Sequence, residues 1–194
     1  MIQVQGVIVP RIRMSGLCAD SVIGAVQDLN FLDYRLGIPV GAIAGLDVLS
    51  RGNFTIDYQK RRVFFGRLAA TAKSVHFERR PPFLTVKAKV DGHEVQLLVD
   101  SGTPGLLIYR SRFEAGVERR YSENALVETV TGMTKSQWFL ASSVLLGKEN
   151  LGRRAVVIAD SGHAGDDFNS LLGFVNLGLH RVTFDFENSL LGWD

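Results

Sequence analysis

The sequence predicts an all-β fold, and three observations carry that expectation. Apolar segments are short, rich in β-branched residues and separated by turn residues at the intervals of antiparallel sheets. Glycine is abundant, 20 of 194 residues. Strict apolar/polar alternation recurs along the chain, whereas helical periodicity is scarce.

The clearest element runs from Phe83 to Asp100. Leu84, Val86, Ala88 and Val90 alternate with Thr85, Lys87 and Lys89, and Asp91-Gly92 then supplies a two-residue hairpin turn. The return strand sets Val95, Leu97 and Val99 on one face and ends at the loop Asp100-Ser101-Gly102-Thr103-Pro104-Gly105. Leu106 to Tyr109 resumes an extended run, and further strands are expected at 126–130, 137–146, 154–159, 181–186 and 189–193. The segment 67–82, RLAATAKSVHFERRPP, closes on two arginines and two prolines, which cannot donate to a ladder, and is read as a linker.

A shift of 128 residues superimposes one part of the chain on another. Ile43-Ala44-Gly45-Leu46 falls on Leu171-Leu172-Gly173-Phe174, Leu49 on Leu177, and Phe54 to Tyr58 on Val182 to Phe186. Over the 21 positions 43–63, four are identical and seven more pair apolar with apolar, without a gap. The physical content is one unit used twice: an apolar strand reaching a glycine, a short helical turn, then a hairpin. Asp100 has no counterpart under this shift, because its partner position falls before Met1. The expected organisation is therefore an incomplete first lobe (1–66), a linker (67–82) and a complete lobe (83–194).

Composition bounds the function. A hydrophobic fraction of 46% with mean hydropathy +0.11 is too apolar for disorder. A net charge of +2 gives no electrostatic reason to expect nucleic acid. No apolar run reaches the roughly 18 residues of a membrane span, and the stretch after Met1 lacks a signal-peptide pattern. The compartment, cytoplasmic or periplasmic, stays open. Cys18 and four scattered histidines offer no zinc spacing, so no metal and no cofactor are expected. Cys18 itself reads as a small core residue.

An aspartate closing an apolar strand before Ser-Gly-Thr has a specific chemical use. The Ser101 and Thr103 hydroxyls and nearby N–H groups can hold its carboxylate, and Gly102 lets the backbone turn sharply. A second carboxylate brought within about 3 Å must share one proton with it, so the pair can activate a water and polarise a carbonyl together. A second Asp-Ser-Gly, at Asp160, continues into a polar loop and is read as a loop residue. Asp57 and Asp185, matched by the shift, are read as pointing outward or capping turns. His180-Arg181 and Arg79-Arg80 are read as solvated surface, and Trp138 and Phe139 as core in preference to a substrate groove.

Leu98-Val99-Asp100-Ser101-Gly102-Thr103, then Ser170-Leu171-Leu172-Gly173, then Arg181 to Asn188, resemble the retropepsin-like aspartic proteases, especially bacterial members with two such lobes in one chain. The resemblance implies a closed β-barrel lobe of acid-protease type with Asp100 as the catalytic carboxylate. It further implies that Ser101, Gly102, Thr103, Leu171, Leu172 and Gly173 support the catalytic loop, and that Val130, Thr131, Gly132 and Met133 form the tip of a flap over a peptide or protein substrate. One carboxylate does not suffice. Its partner would come from sequence upstream of Met1 or from a second copy in a homodimer, or the lobe would be a catalytically silent module for peptide binding or self-association.

Overall fold

In the computed structural model the described residues are 5–66, 68, 71–110, 123–129, 132–159 and 170–194. They are mostly strands, as expected. Strands β1 (Gln5–Met14) and β2 (Leu17–Val26) form a hairpin that is a sheet of its own. Helices α1 (Asn30–Leu36) and α2 (Leu46–Leu49) precede the hairpin of β3 (Phe54–Asp57) and β4 (Arg62–Phe65). The chain continues through β5 (Lys73–Arg80), β6 (Phe83–Val90), β7 (His93–Val99), β8 (Leu106–Tyr109), β9 (Glu123–Thr129) and β10 (Gly132–Ala141). It ends with β11 (Val144–Leu146), β12 (Glu149–Asn150), β13 (Arg154–Ala159), β14 (Ser170–Leu172), a 3₁₀ turn at Val175–Leu177, β15 (Arg181–Asp185) and β16 (Leu190–Trp193).

The hairpin read from Asp91-Gly92 forms with Val90 opposite His93, and both turn residues take positive φ, 48° and 87°. Glycine meets that demand without strain, and aspartate is among the few other residues that tolerate it. Its apolar face is core: Val86, Val90 and Leu97 are no more than 1% exposed.

The order of the large sheet is β4-β3-β15-β16-β5-β6-β7-β14-β8-β13-β10-β9, with β11 on β6. Among the described residues β4 and β9 are the ends of this path, and a ring of pairings closing a barrel over 83–194 is not found there. The linker expected over 67–82 contains a strand. β5 pairs with β16 through Lys73–His76 and with β6 through Phe77–Arg80, joining two parts of the sheet. The physical reason is a period-two pattern that the arginines and prolines obscured: Val75 and Phe77 pack on the core, and Pro81-Pro82 occupy the turn, where no ladder donor is needed.

β3 pairs antiparallel with β15 in a register that sets Phe54 opposite Phe184, Thr55 opposite Thr183 and Ile56 opposite Val182. Thr55 and Thr183 are 128 residues apart, and their buried hydroxyls are 2.8 Å from each other. Phe54 stacks on Phe184 with ring centroids 4.5 Å apart, and Phe174 and Phe186 complete the aromatic cluster. Asp57 and Asp185 act alike as turn caps: Asp57 accepts from the Lys60 N–H at 2.8 Å, and Asp185 from the Asn188 N–H at 3.0 Å.

Three side-chain expectations need correction or refinement. Cys18 is exposed, because it alternates with buried Leu17 and Ala19 on β2. Arg79 is more than solvated surface, since its guanidinium lies 5.1 Å from the Phe186 ring centroid and donates to the Phe186 carbonyl. Phe139 is core at 4% exposure, whereas Trp138 is only half-buried.

The threonine pair yields a test of the β3–β15 register. Thr55→Val leaves the Thr183 hydroxyl buried without a partner and should cost about 1–3 kcal/mol in denaturant unfolding. The double variant Thr55→Val with Thr183→Val should recover most of that loss.

Candidate active site

Asp100 follows the last residue of β7, where the chain leaves the sheet. Its backbone N–H donates to the Leu172 carbonyl at 3.0 Å, which continues the parallel pairing of β7 with β14 by one more bond. The carboxylate is held at both oxygens: the Gly102 N–H donates to Oδ1 at 2.9 Å, and the Thr103 hydroxyl donates to Oδ2 at 2.7 Å. These bonds fix the carboxylate plane. Asp100 is half-buried, and among the described residues it forms no salt bridge.

The supporting residues differ in role. Thr103 binds the carboxylate as expected, but the Ser101 hydroxyl does not bind it, and Ser101 lines the adjoining groove. A Cβ on Gly102 would lie 3.2 Å from Asp100 Oδ1, a tight contact from which the carboxylate would have to move by a few tenths of an ångström. Leu171 and Leu172 form β14 between β7, which is parallel, and β8, which is antiparallel. Gly173 lies directly beneath the loop. A Cβ on it would stand 1.7 Å from the Thr103 carbonyl oxygen, and its N–H donates to the Gly105 carbonyl at 2.9 Å. Asn176 closes the loop from the 3₁₀ turn, its N–H donating to the Pro104 carbonyl at 2.7 Å.

Of the expected flap, Gly132 and Met133 begin β10, opposite Thr129 and Glu128 of β9. Val130 and Thr131, which connect the two strands, lie outside the described residues, as does Asp160.

A groove of about 210 Å³ opens beside Asp100 and Ser101. One wall is Pro82, Phe83, Leu84 and Val99; the other comes from the first part of the chain, with Ala44, Leu46, Leu49, Phe54 and Ile56. Asp100 is the one carboxylate among these lining residues. A larger open groove of about 860 Å³, with His76, Lys87, Lys89 and Lys148, lies over β5, β6 and β11 and does not include Asp100. Its size does not select it, because its charged chains largely pair with each other on the surface.

Tyr58 is a residue that the sequence reading passed over. Its hydroxyl is buried with no hydrogen-bond partner among the described residues, its ring packs 6.2 Å from that of Phe174, and its pKa is pushed up to about 12, first by burial and then by the negative charge of Asp100. The signal was available in the 128-residue shift, where Tyr58 falls on Phe186 and so adds a hydroxyl to an otherwise apolar position.

Two outcomes follow from this geometry. Gly173→Ala should destabilise the fold at the upper end of the roughly 1–3 kcal/mol that overpacking costs, since a backbone carbonyl cannot step aside as a side chain would. Asp100→Asn should lower the Tyr58 titration midpoint, read by ultraviolet absorbance, while leaving it above the ordinary tyrosine value, because burial is the larger cause.

Residues 86–175 match the aspartyl protease family. No curated protein sequence matches the chain. A crystal structure of a retropepsin-like aspartic protease from Rickettsia conorii is similar at 20% identity with a TM-score of 0.41, covering 61% of this chain and 95% of that one. The segment matched by the aspartyl protease family contains the Asp100 loop, β14 and Gly173.

Proposed function

We propose that this protein is an aspartic endopeptidase in which Asp100 is one of two carboxylates that activate a water. The observation that carries the reading is the Asp100 carboxylate itself: fixed at both oxygens, free of any cation among the described residues, and set on an open apolar groove. The ionised member of the pair takes a proton from water, and the oxygen adds to the peptide carbonyl carbon. The neutral member gives its proton to the carbonyl oxygen. Collapse of the resulting gem-diol breaks the C–N bond as the leaving nitrogen takes up the proton drawn from water, while one of the two hydroxyls returns a proton to the second carboxylate and so restores the shared proton.

Ala44, Leu46, Ile56 and Phe83 on the groove suit an extended peptide with apolar side chains. The hairpin of β9 and β10 is the element that would close over it. The second carboxylate comes from outside the groove's own lining, where Asp100 stands alone. That same observation favours a second reading, a lobe that binds extended peptides without cleaving them. A homodimer built by pairing β15 with β15 of a second copy is disfavoured, because β3 already occupies that edge of β15.

Asp100→Asn distinguishes the readings. Under the catalytic reading, cleavage of an unstructured protein falls on the order of 10³-fold or more while the near-ultraviolet circular dichroism is unchanged. The wild-type pH profile is bell-shaped, limited on the acid side by protonation of both carboxyls and on the alkaline side by loss of the shared proton. A chain that binds peptide but cleaves nothing at any pH, whether or not position 100 is substituted, sinks the catalytic reading.

A further inference from the structure

β6 links the two grooves. Side chains alternate along a strand, so Phe83, Thr85, Lys87 and Lys89 stand on one face of β6, opposite the face that Leu84, Val86 and Ala88 bury in the core. Phe83, at one end of that row, lines the groove beside Asp100. Thr85, Lys87 and Lys89, further along it, line the larger groove of about 860 Å³. The registers of β6 with β5 and with β7 run without a bulge, so the row is continuous. At the rise of a strand, Lys87 is about 13 Å beyond Phe83 and Lys89 about 7 Å beyond Lys87.

The far wall of the larger groove comes from the turn after β11. Gly147 takes φ 62° and packs on β5, where a Cβ on it would lie 3.2 Å from the Val75 side chain, and the next residue, Lys148, lines the groove. Three lysines thus face two glutamates, Glu78 and Glu94. Glu78 is held by Arg80 at 3.0 Å and reached by Lys87 only at 3.9 Å, and Lys89 meets Glu94 at 3.4 Å. Lys148 makes no ion pair among the described residues. Exposed pairs of this kind contribute little, so a carboxylate brought by a ligand can replace either glutamate.

We propose that the row from Phe83 to Lys89 is a track for the polypeptide substrate: its apolar segment lies in the groove beside Asp100, and acidic residues at alternate positions, beginning about four residues further along, pair with Lys87, Lys89 and Lys148. The inference rests on the proteolytic reading above and adds a preference for acidic side chains at a distance from the scissile bond. Two observations favour this occupant. Alternate side chains of an extended peptide recur at the same spacing as Lys87 and Lys89. Thr85 is 2% exposed, and its hydroxyl has no hydrogen-bond partner among the described residues. It lies across the ladder from Glu78 and two residues before Lys87, so a chain that draws Lys87 onto its own acid runs beside that hydroxyl and brings a carbonyl to accept from it.

The test uses the full chain and two fluorescent peptides. Each carries an apolar segment, a spacer of about four residues and then alternate acidic positions, filled with glutamate in one peptide and glutamine in the other. In fluorescence anisotropy at low salt the glutamate peptide should bind about fivefold tighter or more, and the gap should close as salt is raised. Lys87→Gln combined with Lys89→Gln, both at exposed positions, should bring the two peptides to equal affinity. Equal affinities with the wild-type chain, or a gap that survives the double substitution, overturn the track even if both peptides are cleaved. A glutamate peptide without the apolar segment that binds as tightly as the joined one makes the groove a separate anion site and also overturns it. The expected gap with no cleavage of either peptide at any pH upholds the track for binding and overturns the proteolytic reading.

Discussion

The antiparallel ladder between β3 and β15 is the contact on which the rest of the arrangement depends. It brings the first 66 residues into one sheet with the Asp100 segment and makes them the second wall of the groove. The ladder itself is short, and its stability comes from what it buries. Phe54, Phe184 and Phe186 pack together with 3–6% exposure, each contributing about 1.5–3 kcal/mol through burial. The Thr55 and Thr183 hydroxyls satisfy one another in a place water does not reach, so neither side chain can leave without exposing the other to an unpaired state.

From that sheet the Asp100 loop is built in layers. β14 is gripped on both edges, Gly173 lets the loop descend onto it, and the carboxylate is then oriented by Gly102 and Thr103. Each layer removes a freedom from the one above, so the orientation of the acid is set by the fold beneath it. Gly45 and Gly173 illustrate how context decides the use of one residue type. Both end an apolar tripeptide before a helical turn, yet only Gly173 has a backbone packed against the place its Cβ would take.

Much of this was legible in the residues. The Asp91-Gly92 hairpin is dictated by two positive-φ positions between alternating strands, and the turn-capping roles of Asp57 and Asp185 follow from matched positions. The position of Asp100 at the end of β7, with Gly173 beneath its loop, was legible because strand, loop and tripeptide all carry local signals. β5 was not, since Arg79-Arg80-Pro81-Pro82 reads as a break unless the preceding Val75–Phe77 alternation is given more weight. Nor was the β1–β2 hairpin, whose turn at Ser15-Gly16 sits between strands with few buried positions: when one sheet has little core to face, alternation fades. Tyr58 escaped notice because an unpartnered hydroxyl is a property of the surroundings and not of the residue.

The account is tested most directly by comparing amide exchange of Phe54–Asp57 with that of Arg181–Asp185 in the intact chain. If the ladder joins both parts of the protein into one sheet, the two segments exchange slowly and lose protection together as denaturant is added. If β3 exchanges at the rate of an exposed strand while β15 stays protected, the first part of the chain does not form the wall facing Asp100.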